Sequence, residues 1–457
     1  MLRLFRHYVP TIKLCVLVTD AAVVLLSVFT SWWTGLWMGE GSALLKGIGL
    51  TAVTLFVLSV SDLYRTDLRF TSRELSARIS LALTSAAVLT AALGFAVPVL
   101  RFGRFGFLTT FAGLFGGLLV SRVAWERLRS SRRHVTRVLV VGVSRVAPSI
   151  VELEKSGAHP FLTLGFLDDA PDAPDRVPQG RELLGKPADL LTLVDELRPD
   201  LVLVALPDMR GAVPTSDLLE CRLRGIRVED WPTFYEKQTG KVLVADLRPS
   251  WLIFSDGFAK THTTQLIKRA IDLICALVGF VLMLPVLVLV AIAIKLDSHG
   301  PVFFRQERVG QNGRLFTLIK FRSMREDAEV LSGAVWAAAD DHRVTRVGRL
   351  LRKTRLDELP QLINVIAGAM SFVGPRPERP EFVRLLQRQI PFYSGRLAVK
   401  PGITGWAQVR HQYAASVEDT IEKLQYDLYY VKNISPFLDL LILLNTVQVV
   451  LFARGAR

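Results

Sequence analysis

The apolar positions of this chain follow two rhythms. In the first quarter they form four long runs, roughly Leu14 to Trp37, Ala43 to Val60, Ile79 to Leu100 and Phe105 to Trp125. Each is about long enough, at a helical rise of about 1.5 Å per residue, to span the hydrocarbon core of a bilayer. From Thr136 the runs shorten: VLVV at 138–141, FLTLGFL at 161–167 and PDLVLVALP at 199–207 alternate with helical segments. Short continuous apolar runs predict parallel strands covered on both faces, hence a Rossmann-like α/β unit. A fifth long run follows, with 22 uncharged residues between Asp272 and Lys295 and Pro285 in its middle. The segment from Pro436 to Phe452 is apolar but interrupted by Asp439, Asn445 and Gln448, the pattern of an amphipathic helix lying in the membrane interface.

Basic residues orient the spans. Arg3, Arg6 and Lys13 precede the first, Arg65, Arg69, Arg73 and Arg78 lie between the second and third, and Arg127, Arg129, Arg132, Arg133 and Arg137 follow the fourth. The positive-inside rule places these three segments in the cytoplasm, against the minor pull of Arg101 and Arg104 in the third loop. Four crossings return the chain to the cytoplasmic side. The first run is followed by three more and lacks a small-residue cleavage site, so it is not a signal peptide. Asp20 in the first span reads equally as a functional group or as a polar contact between helices.

The fifth run has Lys268 and Arg269 before it and Lys295, Arg305 and Arg308 after it, so neither end prefers the far side. Pro285 removes a backbone hydrogen bond and clashes with the preceding turn. Two topologies follow: a helix-break-helix that enters and leaves one leaflet, and a kinked fifth span.

Composition adds a second theme. The chain has 457 residues, room for two or three domains, with 50% hydrophobic residues and a net charge of +14; mean hydropathy is +0.34. A basic membrane protein calls for anionic partners: lipid headgroups, phosphorylated substrates or nucleic acid. Cys15, Cys221 and Cys275 have neither metal-ligand spacing nor an even framework and read as reduced fillers. In the α/β unit the first strand enters Gly142, Ser144 and Ala147, then Pro148. A serine where a dinucleotide fingerprint has its second glycine hinders approach of a pyrophosphate, which favours a structural or regulatory domain over a nucleotide site.

Candidate chemistry concentrates in KTRLDELPQLINVIAGAMSFVGPRPERPE at 353–381. Asp357 is placed to cap a helix starting near Glu358, with Pro360 in its first turn, Leu362, Val365 and Ile366 facing inward, and Gly368 ending it. Capping alone would explain the acids. Their neighbours argue for more: Arg346, Arg349 and Arg352 recur at a spacing that predicts one helix face, Arg376 follows on a proline-stiffened loop, and LFTLIKFRSM reads as a strand delivering Lys320 and Arg322. Two carboxylates among cations suit a divalent metal or a transferring phosphoryl group, with arginines neutralising phosphate oxygens.

These blocks carry a resemblance. KRAIDL, the Pro285-interrupted run, GPVFFRQERVGQNGRLFTLIKFRSM, RVTRVGRLLRKTRLDELPQLINVIAGAMSFVGPRPERPE, VKPGITGWAQV and YDLYYVKNISPFLDLLILLNTVQVVLF cover about 190 residues from Lys268 onward. Together they are similar to the bacterial sugar transferases, the polyprenyl-phosphate hexose-1-phosphate transferases or monotopic phosphoglycosyl transferases. The whole chain looks like the long form of that family. The resemblance implies a multi-domain membrane protein: four transmembrane helices in 1–134, a Rossmann-like α/β domain in 135–250, and in 251–457 an α/β monotopic catalytic domain. The last would carry interfacial amphipathic helices and a re-entrant helix-break-helix at about 268–296, with Pro285 as the breaker. It implies transfer of a sugar-1-phosphate from a UDP-sugar to undecaprenyl phosphate in the bacterial inner membrane, catalytic domain in the cytoplasm. Such a step would start exopolysaccharide or capsule assembly. Asp357 would be the nucleophile that forms an aspartyl phosphosugar. Glu358 would help it hold Mg²⁺ or handle a proton. Lys320, Arg322, Arg352, Arg376 and Asp427 would serve phosphate and substrate. No nucleic acid is implied as a partner beside the substrates and membrane lipids, and oligomeric state, homo-oligomer included, stays open. The chain departs from the pattern at Leu284, at Arg355 and at Arg410, His411, Gln412 and Tyr413, so the sugar is left open. A membrane-anchored nucleotide sensor or scaffold without transferase activity is the alternative reading. A processive glycosyltransferase is disfavoured for want of an Asp-x-Asp motif beside a suitable strand.

Overall fold

A computed structural model describes residues 2–4, 7–9, 11–34, 43–64, 71–130, 135–143, 146–156, 160–170, 173–206, 215–244, 257–258, 261–325, 343–411 and 416–451. Arg6, Arg65, Arg69, Arg132, Arg133, Ser144, Gln412 and Tyr413, used above, lie outside these residues. The chain divides into two compact units, one holding Tyr8–Thr239 with Met1–Leu2, the other Gly240–Arg457 with Arg3–His7.

The first unit begins with four helices, α1 (Thr11–Trp33), α2 (Ala43–Val60), α3 (Ser72–Ala96) and α4 (Arg104–Ser130). They follow the four apolar runs because unbroken apolar sequence in lipid must satisfy its backbone within one segment. Val24, Leu50, Ile79 and Leu114 form the buried seam, while Leu26, Trp33, Leu81, Phe95, Phe105 and Val120 stay exposed, as lipid-facing positions do. By length and composition α1, α3 and α4 can each cross a membrane, whereas α2 is shorter. Gly117 lets α4 approach α1, since a Cβ there would collide with Val23. Asp20 of α1 is fully buried and accepts from Arg122 Nη2 of α4 at 2.6 Å and from the Tyr64 hydroxyl at 2.8 Å. The structure thus makes it a contact between helices.

After the bundle, β1 (Thr136–Val141), β2 (Phe161–Leu167), β3 (Leu183–Gly185), β4 (Leu201–Val204) and β5 (Arg227–Asp230) form a sheet in the order β3-β2-β1-β4-β5. All neighbouring pairs are parallel. Helices α5 (Ala147–Ser156), α6 (Leu190–Leu197), α7 (Thr215–Leu223) and α8 (Trp231–Thr239) complete this Rossmann-like domain. Val138 to Val141 are wholly buried, as expected of a central parallel strand.

The second unit opens earlier than the expected boundary at residue 251. Val242 and Val244 already belong to its core, and Val242 N donates to Gln425 O at 3.0 Å. Helix α9 (His262–Asp297) is a 36-residue helix with Pro285 inside it, helical on both sides of the position where a break was expected. Its middle is exposed and apolar, including Ile274, Leu277, Val281, Leu282, Leu284, Val288 and Leu289; length and apolarity would let it cross a membrane. A hairpin follows, β6 (Phe303–Val309) antiparallel to β7 (Leu315–Phe321). Next come α10 (Arg346–Thr354), a tight turn at Leu356–Glu358 and α11 (Gln361–Ile366). Strand β8 (Ser371–Val373), α12 (Pro380–Gln389), β9 (Gly402–Thr404), α13 (Trp406–Arg410), α14 (Val417–Lys432) and α15 (Pro436–Leu451) close the unit. Strands β8 and β9 pair in parallel. Trp406, Tyr429, Tyr430, Leu438 and Ile442 fill the largest core.

The Asp20 pair yields a prediction. Asp20→Leu leaves Arg122 buried without its carboxylate and should cost about 3 kcal/mol, read as earlier thermal unfolding of the full chain in mild detergent. Asp20→Leu combined with Arg122→Met should recover most of the loss.

Candidate active site

The turn that holds the two acids is forced by what precedes it. Helix α10 ends at Arg355, which adopts a left-handed conformation at φ 59°, a region that costs a non-glycine residue energy unless its surroundings hold it. Glu358 N then donates to Arg355 O at 3.2 Å and Leu359 N to Leu356 O at 3.2 Å, closing a 3₁₀ turn around Asp357. Helix α11 starts only at Gln361, with Pro360 as its first cap and no side-chain cap bond. Asp357 therefore does not cap that helix, contrary to the sequence expectation. The reading of both acids as helix caps alone loses its basis.

Asp357 and Glu358 are each 8% exposed, yet their surroundings differ. Glu358 Oε1 accepts from Lys320 Nζ at 3.1 Å and Arg376 Nη2 at 2.8 Å, with Arg355 Nη1 at 3.9 Å. Burial by itself would raise the Glu358 pKa, but Arg376 and Lys320 outweigh it and hold this carboxyl well below the usual range. Asp357 Oδ1 is buried with no hydrogen-bond partner in the chain. Burial is the main cause that pushes the Asp357 pKa up, Lys320 opposes it, and the neighbouring Glu358 charge adds to it. Two adjacent carboxyls are thus driven in opposite directions, the pattern that separates roles in acid–base and nucleophilic sites. Burial also lowers the Lys320 pKa, with Glu358 opposing.

The supports of these groups are specific. Lys320 sits on β7, and Asn364 of α11 locks that strand, donating from Nδ2 to Thr317 O at 2.8 Å and accepting from Ile319 N at 3.1 Å. Arg376 sits on a loop stitched at both ends: Gly374 N donates to Thr404 O at 2.9 Å and Gly402 N to Pro375 O at 3.0 Å. Gly374 has to be glycine here, because a Cβ would strike the Lys400 carbonyl. Arg396 supplies the third tie, donating from Nη2 to Arg376 O at 2.9 Å, from Nε to Asp427 Oδ2 at 2.9 Å and from Nη1 to the Tyr393 hydroxyl at 2.8 Å.

Of the residues named from sequence, the structure brings Asp357, Glu358, Lys320 and Arg376 together. Arg352 lies beside them, donating from Nε to Ser323 Oγ at 2.9 Å and lowering the Asp357 pKa through space. Arg322 has another job: its Nη1 and Nη2 donate to His299 O and Ser298 O at 2.7 and 2.8 Å, satisfying carbonyls at the end of α9. Asp427 is buried behind the site against Arg396 and acts on Arg376 through it. The expected single face of Arg346, Arg349 and Arg352 also divides, since Arg346 and Arg349 are exposed while Arg352 turns toward Ser323. Asn364, Tyr393 and Arg396 escaped the sequence reading. A lone asparagine on an otherwise apolar inward stripe was the signal for the first; the other two gave none.

Among the described residues no cluster of three or more His, Cys, Asp or Glu side chains forms a metal site. The unpartnered Asp357 Oδ1 nevertheless suits Mg²⁺, which commonly takes one or two carboxylates and completes its shell with substrate phosphates and water. At the α/β domain, Leu206 closes on Gly142, which has φ 104°, and Asp168 at the end of β2 accepts from Val143 N at 2.5 Å and Ala170 N at 2.9 Å. That acid stands where a dinucleotide fold would place its ribose contact, and it is engaged with backbone instead.

Comparison with known proteins gives two family matches. The family described as bacterial sugar transferase matches residues 263–453, and that described as a CoA-binding domain matches residues 59–212. The chain is 44% identical over 240 residues to the UDP-N-acetylgalactosamine-undecaprenyl-phosphate N-acetylgalactosaminephosphotransferase of Aeromonas hydrophila, covering 52% of this chain and 56% of that one. It is 34% identical to the undecaprenyl-phosphate glucose phosphotransferase of Komagataeibacter xylinus, covering 71% of this chain and 61% of that one. A UDP-glucose:undecaprenyl-phosphate glucose-1-phosphate transferase of Xanthomonas campestris pv. campestris is 34% identical, with 75% of this chain and 74% of that one covered. The chain thus spans little more than half the length of the first two relatives.

Arg396→Met would leave the Asp427 carboxylate buried and unpaired, a loss of about 3–5 kcal/mol. Thermal unfolding of the purified protein should show it, with Arg396→Met plus Asp427→Leu distinctly less destabilised than Arg396→Met alone.

Proposed function

The chain belongs to the bacterial sugar transferase family, and we propose that it transfers a sugar-1-phosphate from a UDP-hexose to undecaprenyl phosphate, releasing UMP. The observation that carries this reading is the asymmetry of the two acids: Glu358 anchors the cations, and Asp357 keeps a buried oxygen with no partner. The relatives' names supply the substrate class, with glucose and N-acetylgalactosamine as the sugars and undecaprenyl phosphate as the acceptor.

In the first step an Asp357 carboxylate oxygen attacks the phosphorus that bears the sugar. The bond from that phosphorus to the bridging oxygen breaks, and UMP leaves with the electron pair. In the second step a phosphate oxygen of undecaprenyl phosphate attacks the same phosphorus, breaks the acyl phosphate and restores Asp357, giving undecaprenyl-diphosphate-sugar. Arg376 and Lys320, held by Glu358, and Arg352 stabilise charge on the non-bridging oxygens. Asp357 and Glu358 are the residues that would hold Mg²⁺, whose charge when bound would add to that stabilisation. Desolvation of Asp357 makes its carboxylate a stronger nucleophile once ionised.

Topology fits a lipid acceptor. Both ends of α9 are bound to the same unit: Arg269 donates to Val365 O and Ile366 O and Asp272 accepts from Phe372 N, while Asp297 accepts from Val347 N and Arg322 donates to Ser298 O. A helix that crossed a bilayer about 30 Å thick would have to place parts of this polar unit on opposite sides. On this reading the apolar middle of α9 lies in one leaflet of the inner membrane without crossing it, with the active site on the cytoplasmic side and α15 in the interface.

Asp357→Asn should reduce UMP release by at least about a thousandfold while the protein still inserts and unfolds normally; release at the wild-type rate would refute the reading. UMP release by the wild-type enzyme should fall with acidification through the raised Asp357 pKa. Lys320→Met, which removes an opposing cation, should move that acid limb to higher pH.

A further inference from the structure

Helix α10 carries an exposed face that the transfer reaction does not use. Its buried side is fixed onto the end of the apolar helix: Leu351 belongs to one core with Val290 and Ile294 of α9, with Val347 packed against it, and Val347 N donates to Asp297 Oδ2 at 3.0 Å. Gly348 brings α10 hard against the backbone of Ser323, where a Cβ would strike the carbonyl. The helix is therefore held at the point where α9 leaves its apolar stretch, beside the exposed Lys295 and Leu296.

On the other side stand Arg346, Arg349, Leu350 and Lys353, all exposed, Leu350 at 60%. At about 100° per residue these four positions share an arc of roughly 100°, and Arg352 lies outside it. Among the described residues the side chains of Arg346, Arg349 and Lys353 make no hydrogen bond or ion pair, and the helix RVGRLLRKT contains no acid. Three unneutralised cations around one exposed leucine, at the foot of a lipid-inserted helix, match an anionic membrane surface with a leucine dipping below the headgroups.

We propose that the Arg346–Arg349–Lys353 face of α10 docks on anionic phospholipid headgroups of the leaflet that α9 enters, with Leu350 as its apolar contact. This docking sets the height of the Asp357 turn, which directly follows α10, relative to the lipid surface. The occupant is the lipid surface because the face is continuous with the lipid-exposed part of α9 and combines charge with an apolar side chain, which a free phosphate would not require.

The test uses the full chain with Cys15, Cys221 and Cys275 replaced by alanine and a single Leu350→Cys carrying an environment-sensitive fluorophore. It is reconstituted in vesicles of phosphatidylcholine alone or with about one-third phosphatidylglycerol, each with nitroxide-labelled lipid as quencher. Quenching should be at least about twofold stronger in the anionic vesicles and should weaken at high salt. Arg346→Gln, Arg349→Gln and Lys353→Gln together should abolish the difference, whereas Arg346→Lys with Arg349→Lys should keep it. Equal quenching in both vesicles, a response that survives the triple variant, or one abolished by millimolar inorganic phosphate at constant ionic strength would overturn the proposal. The proposal rests on the placement of α9 in one leaflet proposed above, and because its readout does not depend on turnover its failure is distinguishable from failure of the transferase reading.

Discussion

The second unit depends on one charge arrangement: the buried Glu358 carboxylate, held by Lys320 and Arg376 on a single oxygen. A buried carboxylate needs partners with good geometry, and two cations brought that close need a carboxylate in return. Lys320 comes from the hairpin and Arg376 from the loop after β8, so the same oxygen joins two parts of the fold to the turn that carries Asp357. The more distant ties serve this geometry. Asn364 fixes the hairpin against α11, and Arg396 fixes the main chain of Arg376 while Asp427 and Tyr393 hold Arg396. Because Glu358 takes the cations, Asp357 Oδ1 is left buried and without a hydrogen bond, next to positive charge. On the proposed reading, an incoming phosphate finds there both a nucleophile and compensation for its own charge.

The membrane parts follow a similar logic of matched polarity. Where α1 and α4 bury a charge, as with Asp20 and Arg122, the charge is paired. Where α9 exposes its middle, the exposed residues are apolar, and the charged residues at its ends turn to backbone carbonyls and amides of the catalytic unit. On the proposed reading, the isoprenoid acceptor presents its phosphate at the lipid surface. A catalytic turn anchored by a helix in that same surface can meet it there without drawing the lipid into water.

Much of this was legible in the sequence, for physical reasons that also mark where legibility ended. The four apolar runs and the short strand runs report secondary structure directly, because burial against lipid or a neighbouring layer leaves a periodic trace. The acids at 357 and 358 stood out through their cationic neighbours. What the pattern could not convey was direction. Lys320 lies on β7 and Arg322 just past its end, so only Lys320 reaches Glu358, while Arg322 satisfies the end of α9. A three-residue spacing drifts by about 60° per step around a helix, which is why Arg352 separates from Arg346 and Arg349. Pro285 argued for a break, but a proline disrupts one turn, and the continuous apolar sequence on both sides carries the helix through it. The expected cap at Asp357 failed because Arg355 takes a left-handed turn that Pro360 then continues, delaying the helix to Gln361.

The most direct test of the account is chemical. Purified protein incubated with a UDP-hexose labelled in the phosphate next to the sugar, without acceptor, should be trapped carrying the label, and peptide mass spectrometry should place the sugar phosphate on Asp357. Label that never becomes covalent while UMP is still formed on addition of undecaprenyl phosphate, or an adduct on a residue other than Asp357, would contradict it.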